Sequence, residues 1–284
     1  MFSLKLENEL NSMVDINDNI NYLVLDCTGL NPPKADIFTS KSPNRKGSKY
    51  NGSTLNERSI NISIKLLGDI EKNRNKLYEF IETEQYVKIR YSNNTRNVFI
   101  EGHIEECEFN PFTDNEIIEL AILCENPYFK DLNEISIEIS TLLNQLTFPI
   151  STNEVGIPFS TIKETNETSI ANTGSEVGLK MTIMFDDNVA GLEIYDAKDK
   201  TNKITINRTF NANEYIIIDT SASPKKIILH KTDGTTENIL KNLSGKITWF
   251  TLKKGVNIFG YKTNNGKDDA VSLIIEYANQ YLGV

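Results

Sequence analysis

Four glutamates lie close together in sequence and form the chain's densest group of acid–base side chains. They are Glu101, Glu105, Glu106 and Glu108. Glycoside hydrolysis needs only two carboxylates at a set separation, so a hydrolase using Glu105 or Glu108 is one interpretation. A charged strand face is more often solvated, and nothing marks two of these glutamates as an acid–base pair. The pattern therefore favours a structural surface over a catalytic site.

A second acidic group lies in the other half of the chain, and its oxygen atoms suit a calcium ion. Its members are Asp186, Asp187, Asp196 and Asp199. They lack the loop spacing and the central glycine of a known calcium-binding loop. Calcium binding is therefore the minor alternative for this group.

Transition-metal ligands are scarce. The chain has two histidines, and its three cysteines are Cys27, Cys107 and Cys124. The cysteine spacing fits neither a zinc site nor a redox pair. His103 has Glu101 and Glu105 as its nearest partners in sequence, which is typical of a surface or interface histidine. The sequence also contains no nucleophile elbow, phosphate loop or dinucleotide fingerprint. We therefore predict no catalytic residue, no cofactor and no metal.

The single tryptophan, Trp249, is the best candidate for stacking on a sugar ring. Its neighbours Phe250 and Leu252 fit a buried strand equally well. Because tryptophan buries a large apolar area, we predict a core or interface residue and keep the sugar platform as the alternative.

Length and charge limit the classes of function. The chain has 284 residues, enough for two domains, with 39% hydrophobic and 24% charged side chains. Its net charge of -9 argues against a protein that grips nucleic acid through phosphate contacts. No apolar stretch approaches the roughly 20 residues that cross a bilayer, and the first residues do not resemble a signal peptide. We expect a protein that folds in a reducing compartment and does not insert into membranes.

The elements of the first half are mostly strands. Period-two alternation predicts strands over residues 58–66 and 86–91, and an apolar run predicts another over 117–124. One helix is predicted over Ile70–Thr83, with Asp69 as its N-cap. A single amphipathic helix needs a sheet to pack against, so we expect residues 1–140 to form a β-rich domain with one packed helix.

The second half shows only strand patterns, separated from the first by a segment rich in Pro, Ser, Thr and Asn. Its predicted strands are Leu179–Phe185, Leu192–Tyr195, Lys203–Asn207, Tyr215–Asp219, Lys226–His230, Ile247–Leu252 and Ser272–Tyr277. Asp233-Gly234 predicts a tight hairpin turn. These short, regularly spaced strands predict an antiparallel sandwich over residues 141–284.

Charge is divided unevenly between the two halves. Residues 1–140 contain 23 acidic and 15 basic side chains, whereas residues 141–284 contain 16 and 15. Within the first half, basic residues gather in one Gly/Pro/Ser-rich loop over 34–58. They are Lys34, Lys41, Arg45, Lys46, Lys49 and Arg58. We expect this loop to reach the acidic strand of a neighbouring copy.

The order of several short motifs along the chain carries a family resemblance. The motifs are Glu57-Arg58 before the 60–66 strand, Asn126-Pro127-Tyr128-Phe129, Asn172-Thr173-Gly174, Gly255-Val256-Asn257 and Tyr281-Leu282-Gly283-Val284. In this order and spacing the chain resembles the distal tail protein family of long-tailed bacteriophages and phage-like particles. The resemblance covers nearly the whole chain.

The resemblance implies an N-terminal β-barrel domain with one packed helix and a C-terminal galectin-like antiparallel β-sandwich. It implies a ring, usually of six copies, at the virion tail tip. This ring would join the tail tube to tail-tip or baseplate proteins and let DNA pass without holding it. We therefore expect a non-enzymatic structural protein, with Glu101, Glu105, Glu106 and Glu108 as candidates to face the channel. A host-recognition module that binds carbohydrate through Trp249 is the alternative.

Overall fold

The computed structural model describes residues 2–42, 46–112, 116–140, 142–144, 160–162, 166–221 and 224–284. Over these residues the chain is mainly β with one α-helix, which confirms the predicted fold class. The chain divides into two compact units, one of Met1–Leu132 with Gln280–Val284 and one of Asn133–Asn279. The predicted boundary between residues 140 and 141 lies later in the chain than this one. The prediction also did not assign Gln280–Val284 to the first unit. The barrel and galectin-like descriptions remain predictions.

The first unit is built on one antiparallel sheet. Its strands and helix are β1 (Ser3–Asn8), β2 (Met13–Asp15), β3 (Tyr22–Thr28), β4 (Ala35–Ser40), β5 (Lys49–Leu55), β6 (Arg58–Leu66), α1 (Ile70–Phe80), β7 (Tyr86–Ser92), β8 (Asn97–Phe109), β9 (Ile117–Cys124) and β10 (Phe129–Asp131). The sheet order is β2-β1-β7-β8-β9-β6-β3, with β10 paired to β8. Strands β4 and β5 pair only with each other, which leaves them as a separate two-stranded ribbon.

Strand β6 shows how the sequence pattern produces the core of the first unit. Ile60, Ile62, Ile64 and Leu66 are fully buried, while Ser59, Asn61 and Lys65 between them are exposed. Helix α1 packs with Leu77 inward and begins at Asp69, whose carboxylate accepts the backbone N–H of Lys72 at 3.2 Å. The helix ends at Phe80 rather than Thr83, because Ile81 takes an extended conformation.

The second unit contains two larger sheets. Its strands are β11 (Ile135–Ser140), β12 (Leu142–Asn144), β13 (Ser160–Ile162), β14 (Glu167–Asn172), β15 (Lys180–Phe185), β16 (Val189–Asp196), β17 (Asp199–Phe210), β18 (Tyr215–Asp219), β19 (Lys226–His230), β20 (Thr236–Asn238), β21 (Leu243–Ser244), β22 (Gly255–Thr263) and β23 (Val271–Tyr277). One sheet has the order β11-β23-β15-β18-β19-β20 and the other β14-β22-β16-β17-β21. Ile183 and Ile275 of the first sheet share one core with Ile194 and Ile206 of the second.

Two predictions for the second unit have different outcomes. The Asp233-Gly234 hairpin is confirmed, since β19 and β20 pair across a turn in which Gly234 has a φ of 81°. The predicted Ile247–Leu252 strand is wrong. This segment has only an isolated bridge between Leu252 and Val177, although Phe250 and Leu252 are buried. Its apolar side chains therefore fill the core from an irregular backbone.

The last strand, β24 (Gln280–Tyr281), belongs to the first unit. It pairs antiparallel with β10, with Phe129 opposite Tyr281 and Lys130 opposite Gln280. The segment continues to Val284, whose backbone N–H donates to the carbonyl of Leu30 at 3.2 Å. The first unit is thus completed by residues that follow the whole second unit in the chain.

Candidate functional site

A β-bulge in strand β8 determines where its glutamates point. Opposite β9, Ile104 pairs with Ile122 and Glu106 pairs with Ala121, so Glu105 is the extra residue. The bulge reverses the alternation of faces: Ile104 is buried before it, whereas Glu106 and Glu108 are exposed after it. If the same residues formed a regular strand with no bulge, Glu106 and Glu108 would point into the core.

Beyond the bulge, carboxylates of two strands come together on the exposed face. Glu108 lies directly opposite Glu119 of β9, and like charges in this position repel. The Ser63 hydroxyl donates to Glu119 at 2.6 Å. Repulsion from Glu108 is the main cause that raises the pKa of Glu106 above its usual value. Among the described residues, no basic side chain forms an ion pair with Glu105, Glu106, Glu108 or Glu119.

Glu101, at the other end of β8, has a different environment. It accepts hydrogen bonds from the Tyr86 hydroxyl at 2.8 Å and from Lys130 Nζ at 3.0 Å. Burial alone would raise the pKa of Glu101, but these donors outweigh it and the pKa is lowered. Glu101 is therefore a neutralised carboxylate, separate from the exposed group beyond the bulge.

His103 and the cysteines show no geometry for catalysis. His103 Nδ1 lies 2.7 Å from Glu125 Oε1, rather than beside Glu101 or Glu105, and both side chains are exposed. Burial raises the pKa of the Cys27 thiol to about 12, with a further contribution from Asp26. Burial likewise raises the pKa of Cys124 to about 12. Neither of these thiols is poised to act as a nucleophile.

The basic loop predicted over 34–58 is a ribbon followed by a buried arginine. Strands β4 and β5 expose large apolar side chains, with Ile37 64% and Tyr50 61% accessible. The inclusion of Arg58 in the reaching loop was wrong, because only 3% of it is exposed. Its guanidinium donates to the carbonyls of Pro127 at 3.0 Å, Asn31 at 2.9 Å, Leu282 at 2.6 Å and Gly29. An arginine within a strand pattern gives no sequence signal that distinguishes this buried role from a surface one.

In the second unit, the predicted site residues do not form a cluster. Trp249 is half-buried and packs against the core of this unit from outside any strand. Asp187 pairs with Lys267 at 2.5 Å, while Asp199 accepts the backbone N–H and hydroxyl of Thr201. Over the part of the chain that the structure describes, no three His, Cys, Asp or Glu side chains are placed to hold a metal ion. No described helix is long and apolar enough to span a bilayer.

Two half-buried glutamates of the second unit have cationic partners, in contrast with the exposed glutamates of β8 and β9. Glu193 lies 2.8 Å from Lys203 and 2.9 Å from Lys262. Glu237 contacts Arg208, Lys231 and Lys241, each at 3.2 Å. The exposed face of β8 and β9 thus carries a group of carboxylates without cationic partners among the described residues.

Comparisons with known proteins agree with the division of the chain into two units. Residues 12–105 match a family model described as a phage tail protein RIFT-related domain. Residues 173–281 match one described as a siphovirus-type tail component, C-terminal domain. No curated protein matches the chain.

Solved structures share the fold at low sequence identity. The crystal structure of the phage SPP1 Dit (gp 19.1) protein, described as a paradigm of the hub adsorption apparatus in phages that infect Gram-positive bacteria, has 14% identity and a TM-score of 0.68, with 99% of each chain covered. Two structures of the phage P2 baseplate in its activated conformation, with Ca and with Sr, have 12% identity and TM-scores of 0.51 and 0.50. They cover 100% and 98% of both chains, respectively. With one tail family model on each unit and a shared fold over the full length, the chain belongs to the siphovirus distal tail protein family.

Proposed function

We propose that this protein is a structural hub of a phage tail tip and has no enzymatic activity. The observation that carries the proposal is the match of two tail-component models, in chain order, to the two units. The fold shared over 99% of the SPP1 hub protein supports it. The candidate acid–base and metal-ligating residues, which are dispersed or exposed, provide no competing chemistry.

The hub acts as a closed ring, with six copies as the expected number, formed through the first unit. Such a ring joins the tail tube to tail-tip or baseplate proteins, and DNA crosses its centre during ejection. Identical subunits in head-to-tail contact close into a ring when the rotation between them allows it.

The exposed face of β8 and β9 is the surface that lines the channel in this proposal. Beside Glu105, Glu106 and Glu108, this face has small or polar side chains such as Asn61, Ser63 and Ala121. Carboxylates repel phosphate, so DNA passes without the lysine or arginine contacts that would hold it. At physiological salt the screening length is about 8 Å, so only side chains on the channel wall act on the DNA. Glu101, neutralised by Lys130, contributes little to this field.

Electron microscopy of the purified full-length protein and of tail particles tests the proposal. We expect closed rings with β8 and β9 facing the central opening and the rings located at the tail tip. Only monomers at high concentration, with no ring in the particles, would overturn the hub assignment. A channel wall formed by lysine and arginine would overturn the proposed role of the glutamates.

A further inference from the structure

The large apolar side chains of the β4–β5 ribbon are not covered by the described residues of the first unit. Beyond Ile37 and Tyr50, it also exposes 53% of Phe38. A two-stranded ribbon alone is marginally stable in water, and exposed apolar side chains of this size mark a contact surface. The ribbon therefore needs a partner.

The charge of the ribbon indicates the chemistry of that partner. Residues 34–55 contain five basic side chains and one acid, in a chain with a net charge of -9. The acid, Asp36, accepts a hydrogen bond from Asn56 at 2.7 Å. Within the described residues, Lys34, Lys41, Lys46 and Lys49 form no ion pair. An aromatic surface with acidic groups beside it would complement both properties of the ribbon.

A groove with this chemistry lies where β8 and β9 approach their connecting loop. Its volume is about 670 Å³, so it can seat side chains of a ribbon rather than a whole domain. Tyr78, Phe109 and Phe112 supply aromatic surface, and Phe112 is 95% exposed. Glu108 and Glu119 lie beside these rings and have no cationic partner among the described residues.

Within one copy, the ribbon and the groove lie at opposite ends of β6. The ribbon joins β6 at its first residue, Arg58, whereas the groove lies at the other end, where Lys65 pairs with Ile117 of β9. The nine residues of β6 separate these two ends by roughly 26 Å. Two complementary surfaces at opposite ends of one unit form a head-to-tail contact between copies.

We propose that the β4–β5 ribbon of one copy docks in the Tyr78–Phe109–Phe112 groove of the next copy and so closes the ring. The apolar side chains of the ribbon cover the exposed aromatic rings, and its lysines neutralise Glu108 and Glu119. In the ring, these two glutamates lie where the channel wall meets the neighbouring copy, while Glu105 and Glu106 stay on the wall itself. This inference rests on the proposed ring and names the surfaces that form it.

Charge reversal in full-length protein tests the contact. One variant carries Lys46→Glu with Lys49→Glu in the ribbon, and the other carries Glu108→Lys with Glu119→Lys in the groove. Each alone places like charges across the contact, so we expect at least about a tenfold lower fraction of protein in rings at fixed concentration. A matched control reverses Lys253 and Lys254, two exposed lysines of the second unit. This control should form rings as the unchanged protein does.

An equimolar mixture of the two variants provides the decisive measurement. The acidic ribbon of one variant then faces the basic groove of the other, and the basic ribbon faces the acidic groove. We expect the mixture to recover rings with alternating variants, which close only when the number of copies is even. Circular dichroism of each variant checks that the first unit remains folded.

The outcomes separate this inference from the hub proposal. If the unchanged protein forms rings and both variants do so equally well, the ribbon contact is wrong and the hub remains. If both variants keep single rings but lose stacking between rings, the ribbon binds along the tail axis and the proposed ring closure is overturned. If the unchanged protein forms no ring under any condition, the hub proposal itself fails.

Discussion

Arg58 was expected in an exposed basic loop, but the structure buries it. In the sequence it begins a strand, yet its buried guanidinium donates to four carbonyls from three separate segments, including Leu282. The planar group of five N–H donors suits such a junction better than the single ammonium of lysine. Arg58 therefore ties the returning segment 280–284 to the body of the first unit.

We predict that Arg58→Met destabilises the first unit by about 3 kcal/mol, because buried carbonyls lose their donors. Arg96→Met is the matched control: Arg96 stacks over the Tyr281 ring at 3.7 Å, and an exposed cation–π contact is worth about 1 kcal/mol or less. Chemical denaturation measures both changes. Equal losses in the two variants would contradict a special role for Arg58.

The glutamates of β8 give opposite pH dependences. The pKa of Glu106 is raised, so its charge is unfavourable in the folded state and the penalty disappears as the pH falls through that pKa. We expect Glu106→Gln to raise the melting temperature at pH 7, with the gain lost near pH 4. The pKa of Glu101 is lowered, so Glu101→Gln should lower the melting temperature at pH 7, with the loss disappearing as the pH falls through its titration. Thermal unfolding from about pH 2 to pH 8 measures both trends, and identical trends would be inconsistent with the described contacts.

Trp249 decides between the structural and the sugar-binding interpretation of the second unit. Since its half-buried ring packs against the core, Trp249→Ala should lower the free energy of unfolding by about 2 kcal/mol. Denaturation and a glycan array on the same variant provide the test. An unchanged stability together with lost binding to host cells would favour the carbohydrate-binding alternative.

At the scale of elements, the bulge at Glu105 sets the register of the acidic strand. A regular strand of the same sequence would turn Glu106 and Glu108 into the core and Cys107 and Phe109 to solvent, whereas deleting Glu105 removes the extra residue and keeps each side chain on its present face. We predict that the first unit still folds when Glu105 is deleted, whereas inserting one alanine after Glu105 gives the strand a second extra residue and prevents folding. Circular dichroism and thermal unfolding of both variants check this. A deletion variant that fails to fold, or an insertion variant that folds as well as the unchanged protein, would contradict the assignment of Glu105 as the extra residue.

Elements with strong alternation could be predicted from the sequence, and weaker ones could not. Strand β6 follows period two because one face is buried, and the Asp69 cap identifies the start of α1. The ribbon was expected to be a loop because its Gly, Ser and Lys residues have no buried face to produce alternation. The bulge gave no signal either, since Glu105 and Glu106 are chemically identical and either could be the extra residue.

At the scale of the whole molecule, the second unit is an insertion between two paired strands of the first. Strands β10 and β24 lie side by side, although all of the second unit separates them in sequence. A long-range pairing of two short strands leaves no periodic pattern, so the sequence divided the chain into two consecutive halves. The sequence predicted a basic segment and an acidic strand as candidate contact surfaces. It did not predict which residues of each would lie in the proposed contact.

Removing residues 280–284 should weaken the first unit and leave the second intact. The truncated chain loses strand β24 and the carbonyl of Leu282, one of the acceptors of Arg58. We expect amide hydrogen exchange to become at least about tenfold faster in β10, with exchange in β15 and β23 unchanged. Faster exchange throughout the second unit would contradict the division into two units.

The pairing of β24 with β10 also affects the order in which the two units fold during synthesis. During synthesis the ribosome makes the first unit before the second, but it delivers β24 only after the second is finished. The first unit is therefore the earliest to begin folding and the latest to be completed. Until β24 has left the ribosome, a nascent chain lacks the complete first unit, so the contact between copies proposed above has to wait for the second unit to be made.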